Sequence, residues 1–167
     1  MRFNNWTRKA LFFVIAASIS SFAYADVSTI IVDPSSLSYD MSPTTYSNSP
    51  TTYSNASTTY ANSETTYSNA ATTYANSKNT YGNGKNGSKR ILTQDNQYLG
   101  YYVTNDDGVT NFFGQNGKRF GYNPAGDTTA IFYTTGKQWC GVIGSYQNQT
   151  VLGLSQKCYY LLLSQTE

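Results

Sequence analysis

Along residues 90–167, short runs of Ile, Leu, Val, Phe, Trp and Tyr alternate with polar positions and are broken every few residues by Gly, Asn, Asp or Pro. Short apolar and aromatic runs bounded by turn signals predict β-strands. On that pattern strands fall at 90–93, 97–104, 109–113, 118–122, 128–133, 137–143, 150–154 and 157–163. Asn105-Asp106-Asp107-Gly108 and Asn116-Gly117 fit hairpin turns, and Asn123-Pro124-Ala125-Gly126 fits a looser one. Eight short strands at this spacing predict an all-β domain, a small antiparallel meander closing into a barrel or sandwich.

The same region repeats itself. Residues 91–101 align with 112–122 at an offset of 21, residues 132–140 continue the pattern at an offset of about 19, and 154–160 reads as a worn fourth copy. Each unit is a turn, a strand with a mid-strand glycine and a hairpin return. Such glycines mark bulges or close backbone approach.

Upstream the pattern changes completely. From 42 to 83 the only aliphatic residues are alanines and the only aromatic is tyrosine. Tyr46, Tyr53, Tyr60, Tyr67, Tyr74 and Tyr81 recur every seven residues, in phase with Tyr39, and Asn48, Asn55, Asn62, Asn69, Asn76 and Asn83 keep the same spacing. A helical zipper needs two apolar positions per heptad, and here the rest are Thr, Ser, Asn, Ala or Pro. Each unit reads instead as three extended residues followed by a bend, with Pro43 and Pro50 in turns. Tyrosine burial alone does not offset the entropy of ordering this tract. The expectation is a disordered or loosely extended tract, with β-stacking of Asn and Tyr ladders as the alternative. Residues 26–41 read as an extended N-terminal segment, 84–89 as a flexible Gly/Lys-rich linker, and 90–167 as the β-hairpin-repeat domain.

Residues 1–25 have the pattern of a secretory signal peptide. Arg2, Arg8 and Lys9 supply positive charge, 10–19 a short apolar stretch, and Ala23-Tyr24-Ala25 a small-x-small cleavage site. No later stretch reaches the roughly 20 apolar residues of a membrane-spanning helix. Export to the periplasm or exterior of a bacterium is therefore expected. Three of the eleven basic residues lie in the leader, which leaves eight against nine acidic residues, a net charge of −1. That balance gives no case for a nucleic-acid partner. Cys140 and Cys158, the only cysteines, are expected to pair in an oxidising compartment. In a flat meander they would stand about 9–10 Å apart, beyond disulfide reach. Either the sheet curls or the intervening strand leaves it, and curvature or closure is expected.

Catalytic chemistry finds few residues. The chain has no histidine, which excludes Ser-His-Asp and Cys-His arrangements and disfavours zinc. The carboxylates of the β domain are Asp95, Asp106, Asp107, Asp127 and Glu167, and Asp106 and Asp107 are neighbours in a hairpin turn. No calcium-loop pattern occurs, and no cofactor is expected. Lys78, Lys85, Lys89 and Arg90 form a basic joint, either a solvated linker or a contact for anionic polymers. Gly114-Gln115-Asn116-Gly117 has no helix after it to make a phosphate cradle. Tyr98, Tyr101, Tyr122 and Tyr146 are the candidate binding aromatics for a sugar or protein partner, against a plain aromatic core with scattered surface tyrosines. Trp139 is expected beside the disulfide.

Asn48-Ser49-Pro50-Thr51-Thr52-Tyr53 and Gly117-Lys118-Arg119-Phe120-Gly121-Tyr122 carry a resemblance. The chain resembles a group of exported bacterial proteins, with no assigned activity, that join Tyr/Asn-rich heptads to a C-terminal hairpin module. The hairpin repeats also resemble small β-flower-type domains. The resemblance implies an architecture and an envelope setting, and no mechanism. The function expected is a non-enzymatic structural or interaction protein, with the tract as spacer or self-assembly element and the β domain as interaction head. The alternative is a module binding glycan or another envelope polymer on a flexible tether. A secreted enzyme or toxin is the remaining reading.

Overall fold

A computed structural model describes residues 25–126 and 128–166. The expected leader lies, apart from Ala25, outside the described residues. Eight strands close into a barrel: β1 (Val27–Ile31), β2 (Arg90–Leu92), β3 (Tyr98–Thr104), β4 (Thr110–Gly114), β5 (Arg119–Asn123), β6 (Ala130–Tyr133), β7 (Trp139–Tyr146) and β8 (Gln149–Leu154). One α-helix, α1 (Gln156–Leu163), follows β8.

The number of strands is the expected one, but their membership differs at both ends. The eighth expected strand, 157–163, is helix α1. Its apolar run does not alternate, and the Ser155 side chain caps it by accepting from the Cys158 N–H. The missing strand comes from the N-terminal segment instead. Val, Thr and Ile in Val27–Ile31 favour a pleated, half-buried strand.

Closure follows from counting. Strands β2 to β8 form an antiparallel meander. Seven such strands leave the two edges, β2 and β8, pointing the same way. β1 fills the gap between them in parallel, pairing Val27 with Ile91 on one side and Ser28 to Ile31 with Val151 to Leu154 on the other. Asp26 clasps β2 through a forked ion pair with Arg90 (2.5 Å and 3.0 Å), which holds the Asp26 carboxyl below the usual carboxylate range. Arg90 is therefore paired, and the basic joint is smaller than its sequence implies.

The repeated glycines set the barrel's curvature. Gly100, Gly121 and Gly141 face Ile91, Phe112 and Ile131, and each register shifts directly after that pair. A Cβ on Gly100 would lie 2.1 Å from the Phe113 carbonyl oxygen, and one on Gly141 2.3 Å from that of Gly153. The three hairpins thus bulge at equivalent places. Each directs one pair of side chains inward: Ile91 and Leu99, Phe112 and Phe120, Ile131 and Cys140. Val27, Tyr102, Tyr133, Leu152 and Leu154 complete the interior, and α1 adds Cys158 and Leu162 to the same cluster.

The disulfide links Cys140 of β7 to Cys158 of α1, with Cα atoms 5.3 Å apart. The sheet does close, as expected. The short reach also depends on α1 returning onto the barrel, where the Ser155 N–H donates to the Cys140 carbonyl at 2.8 Å. Trp139 is not beside the disulfide. It packs on the opposite face of β7, against the cluster of Val109, Tyr122, Ala130 and Phe132.

Candidate interaction surface

Parallel neighbours such as β1 and β2 need a crossover connection, usually a helix. Here the crossover is residues 32–89, including all the heptads. The tract is regular. In each heptad the second Thr N–H donates to the carbonyl three residues back, and the Asn N–H does the same (Thr59 to Ala56 and Asn62 to Thr59, both 3.1 Å). The turns at Tyr46–Asn48 and Tyr53–Asn55 qualify as short 3-10 helices. Tyrosine does not hold the coils together. Each heptad Asn turns its side-chain amide inward and donates to two carbonyls, eight and six residues back. Asn55 reaches Ser47 at 2.7 Å and Ser49 at 3.1 Å, Asn62 reaches Ser54 and Ala56, and Asn76 reaches Ser68 and Ala70. Each coil is thereby pinned to the one before it.

The inner side of the tract lies on the barrel. Leu37 packs with Ile30, Val151, Trp139 and Tyr146 over β7 and β8. Thr128, before β6, donates to Asn48 Oδ1 at 3.0 Å. On β5, Tyr122 Oη donates to the Asn55 carbonyl at 2.7 Å and Arg119 Nη1 to the Asn62 carbonyl at 2.9 Å. Asn111 of β4 and Asn105 of the β3–β4 turn both donate to Asn69 Oδ1, and Tyr101 of β3 donates to the Asn76 carbonyl at 2.7 Å. Taken in order, the asparagines thus run from the segment before β6 to β5, which meets both Asn55 and Asn62, and on to β4 and β3. The tract is a belt around the barrel wall, delivered to β2 through turns at 82–88 (Gly87 N–H to the Gly84 carbonyl, 3.1 Å). Neither the disordered tract nor the free joint expected from sequence is found.

The seam beneath the belt is polar and closed. The Arg119 guanidinium sits 4.7 Å from the centre of the Tyr122 ring, and Tyr101 stacks on Phe113 at 5.0 Å. Burial lowers the Arg119 pKa to about 10 and pushes the Tyr122 phenol up to about 12, with the Tyr101 phenol higher still. Both phenols therefore keep the proton they donate across the seam.

What remains outside is the tyrosine row. Tyr39, Tyr46, Tyr53, Tyr60, Tyr67, Tyr74 and Tyr81 are 76–99% exposed, while Asn48, Asn55, Asn62, Asn69 and Asn76 are 0–3% exposed. Thr44, Thr51, Thr58, Thr65 and Thr72 are exposed as well. Between residues 41 and 77 the one charged side chain is Glu64.

The four aromatics singled out from the β domain do not form a site. Tyr101 and Tyr122 are fully buried under the belt, and Tyr98 and Tyr146 are half-buried in separate clefts, Tyr98 beside Lys78 and Gln115, Tyr146 beside Ile30 and Gln149. Asp106 and Asp107 lie in the β3–β4 turn, which Asn105 Oδ1 organises by accepting the Asp107 and Val109 N–H groups. Among the described residues no group of three or more His, Cys, Asp or Glu could hold a metal ion, and no helix is long and apolar enough to cross a membrane. What sequence reasoning missed is the inward, clamping role of the belt's asparagines, together with their barrel partners Arg119, Asn111 and Thr128. Strict recurrence of Asn where neighbouring positions interchange Ser and Ala was the available signal.

No family model, curated protein or solved structure matches this chain.

Proposed function

We propose that this is an exported, non-enzymatic structural or interaction protein of the bacterial envelope or exterior, with the barrel as scaffold and the belt's tyrosine row as its recognition face. One observation carries the reading: seven tyrosines recur on the outer face, and Tyr46, Tyr53, Tyr60, Tyr67 and Tyr74 each stand over an asparagine buried two residues later. A soluble surface seldom presents so many large aromatic side chains together, and such patches mark interaction sites. The leader-like N-terminus and the disulfide support export. The tract is hydrogen-bonded along the barrel, so the reading assigns it to recognition and not to tethering.

The test is fractionation of bacteria expressing the full chain and its Tyr53→Ser/Tyr60→Ser/Tyr67→Ser variant. Both proteins should leave the cytoplasm oxidised and shortened by the leader, and only the parent should stay with the washed envelope fraction. Cytoplasmic retention, or equal envelope association of the two, contradicts the proposal.

A further inference from the structure

We infer that the tyrosine row takes a neutral polysaccharide chain. The inference rests on the row being a recognition face and names its ligand class. Three features select that class.

The first is charge. A polyanion is held by lysines and arginines that displace its counterions. Between residues 41 and 77 the belt has none, and its one charge, Glu64, would repel such a polymer. Polycations fare little better with a single carboxylate. An uncharged ligand is the electrostatic match.

The second is surface chemistry. From Tyr46 to Tyr74 each of five heptads exposes an aromatic ring with a hydroxyl at its rim, Tyr60 for example, and a threonine two residues before it, Thr58. A pyranose unit has the complementary make-up: an apolar C–H face that stacks on a ring, edged by hydroxyls that exchange hydrogen bonds with Tyr and Thr. Exposed leucines would lack the polar edge, and a row of threonines would lack the stacking face.

The third is repetition on a fixed support. Every heptad repeats the same two asparagine clamps, seen at Asn55, Asn62 and Asn69. Equivalent tyrosines therefore present equivalent contacts along the belt. An irregular protein surface cannot answer the same contact five times, whereas a chain of identical sugar units does. Single stacked sugars bind weakly, but a row engages several units at once and gains by effective concentration. The hydrogen-bonded support removes much of the ordering entropy that a flexible tract would lose on binding.

The test uses the leader-free full chain with insoluble cellulose, insoluble chitin, soluble neutral galactomannan and anionic alginate. At least one neutral polymer should deplete or retard the protein, and alginate should not. Binding should persist from about 0.05 M to about 0.5 M salt. Tyr53→Ser/Tyr60→Ser/Tyr67→Ser should weaken it about tenfold or more, while the same three changes to Phe should retain most of it, because stacking survives. Circular dichroism and the thermal midpoint should match the parent in both variants. Absence of binding to every neutral polymer, or undiminished binding by the Ser variant, overturns the inference. If the polymers fail but sedimentation shows self-association, or cells show envelope retention, that the Ser variant loses, the row remains a recognition face for another occupant. Failure of all three overturns both readings.

Discussion

An asparagine side chain carries two N–H donors and a carbonyl acceptor on a stem short enough to stay within one coil of backbone. Asn69 uses all of them: it donates to the Ala61 and Ser63 carbonyls at 2.6 and 3.0 Å and accepts from Asn105 and Asn111 at 2.9 and 3.1 Å. The inner side of the belt is lined by such carbonyls, and burying one without a donor costs about 1–3 kcal/mol. Tyrosine has one donor on a large ring and cannot serve two carbonyls at once. This is why the ranking that puts aromatic residues inside fails here. The two ladders were equally visible in the sequence, but which of them faced inward depended on where the backbone carbonyls pointed. Asn69→Ala should therefore lower unfolding stability in urea by about 2–4 kcal/mol, and Tyr60→Ser should stay within about 0.5 kcal/mol of the parent. The reverse order would mean that tyrosine, not asparagine, holds the tract.

At the scale of elements, the hairpins were the most legible part. Gly100, Gly121 and Gly141 recur in the sequence, and the barrel bulges opposite each of them. The ends were not legible, for two different reasons. Strand β1 is short and separated from its partners by the whole tract, so no local pattern ties Val27–Ile31 to β2 and β8. Helix α1 is a short apolar run, which periodicity cannot tell from a buried strand. Its cap at Ser155 and its packing through Cys158 and Leu162 decide the matter. The disulfide fastens α1 to β7 across a sequence separation of 18. Replacing both cysteines, as Cys140→Ala/Cys158→Ala, should cost about 3 kcal/mol in the chain-entropy account and leave the far-ultraviolet spectrum of the barrel in place. An unchanged thermal midpoint would show that α1 is held by packing alone.

At the scale of the molecule, the belt and the barrel complete each other. The meander has an open gap between β2 and β8, β1 fills it, and the chain then has to pass around the wall to reach β2. That route covers Tyr101, Phe113, Arg119 and Tyr122, which would otherwise face water, and it leaves the tyrosine row outside. A composition that sequence rules assign to disorder is ordered because its carbonyls are answered by its own asparagines and, on the inner side, by Tyr101, Arg119 and Tyr122 of the barrel, contributions that an estimate from tyrosine burial does not contain. The belt is a fixed part of the fold, and amide hydrogen exchange of residues 26–167 reads this directly. The N–H groups of Asn48, Asn55, Asn62, Asn69 and Asn76, each donating to a carbonyl three residues back, should be protected for a time comparable to those of β3 to β5, about 10³-fold or more over a free chain. Exchange of those amides at the free-chain rate, beside a protected barrel, would contradict it.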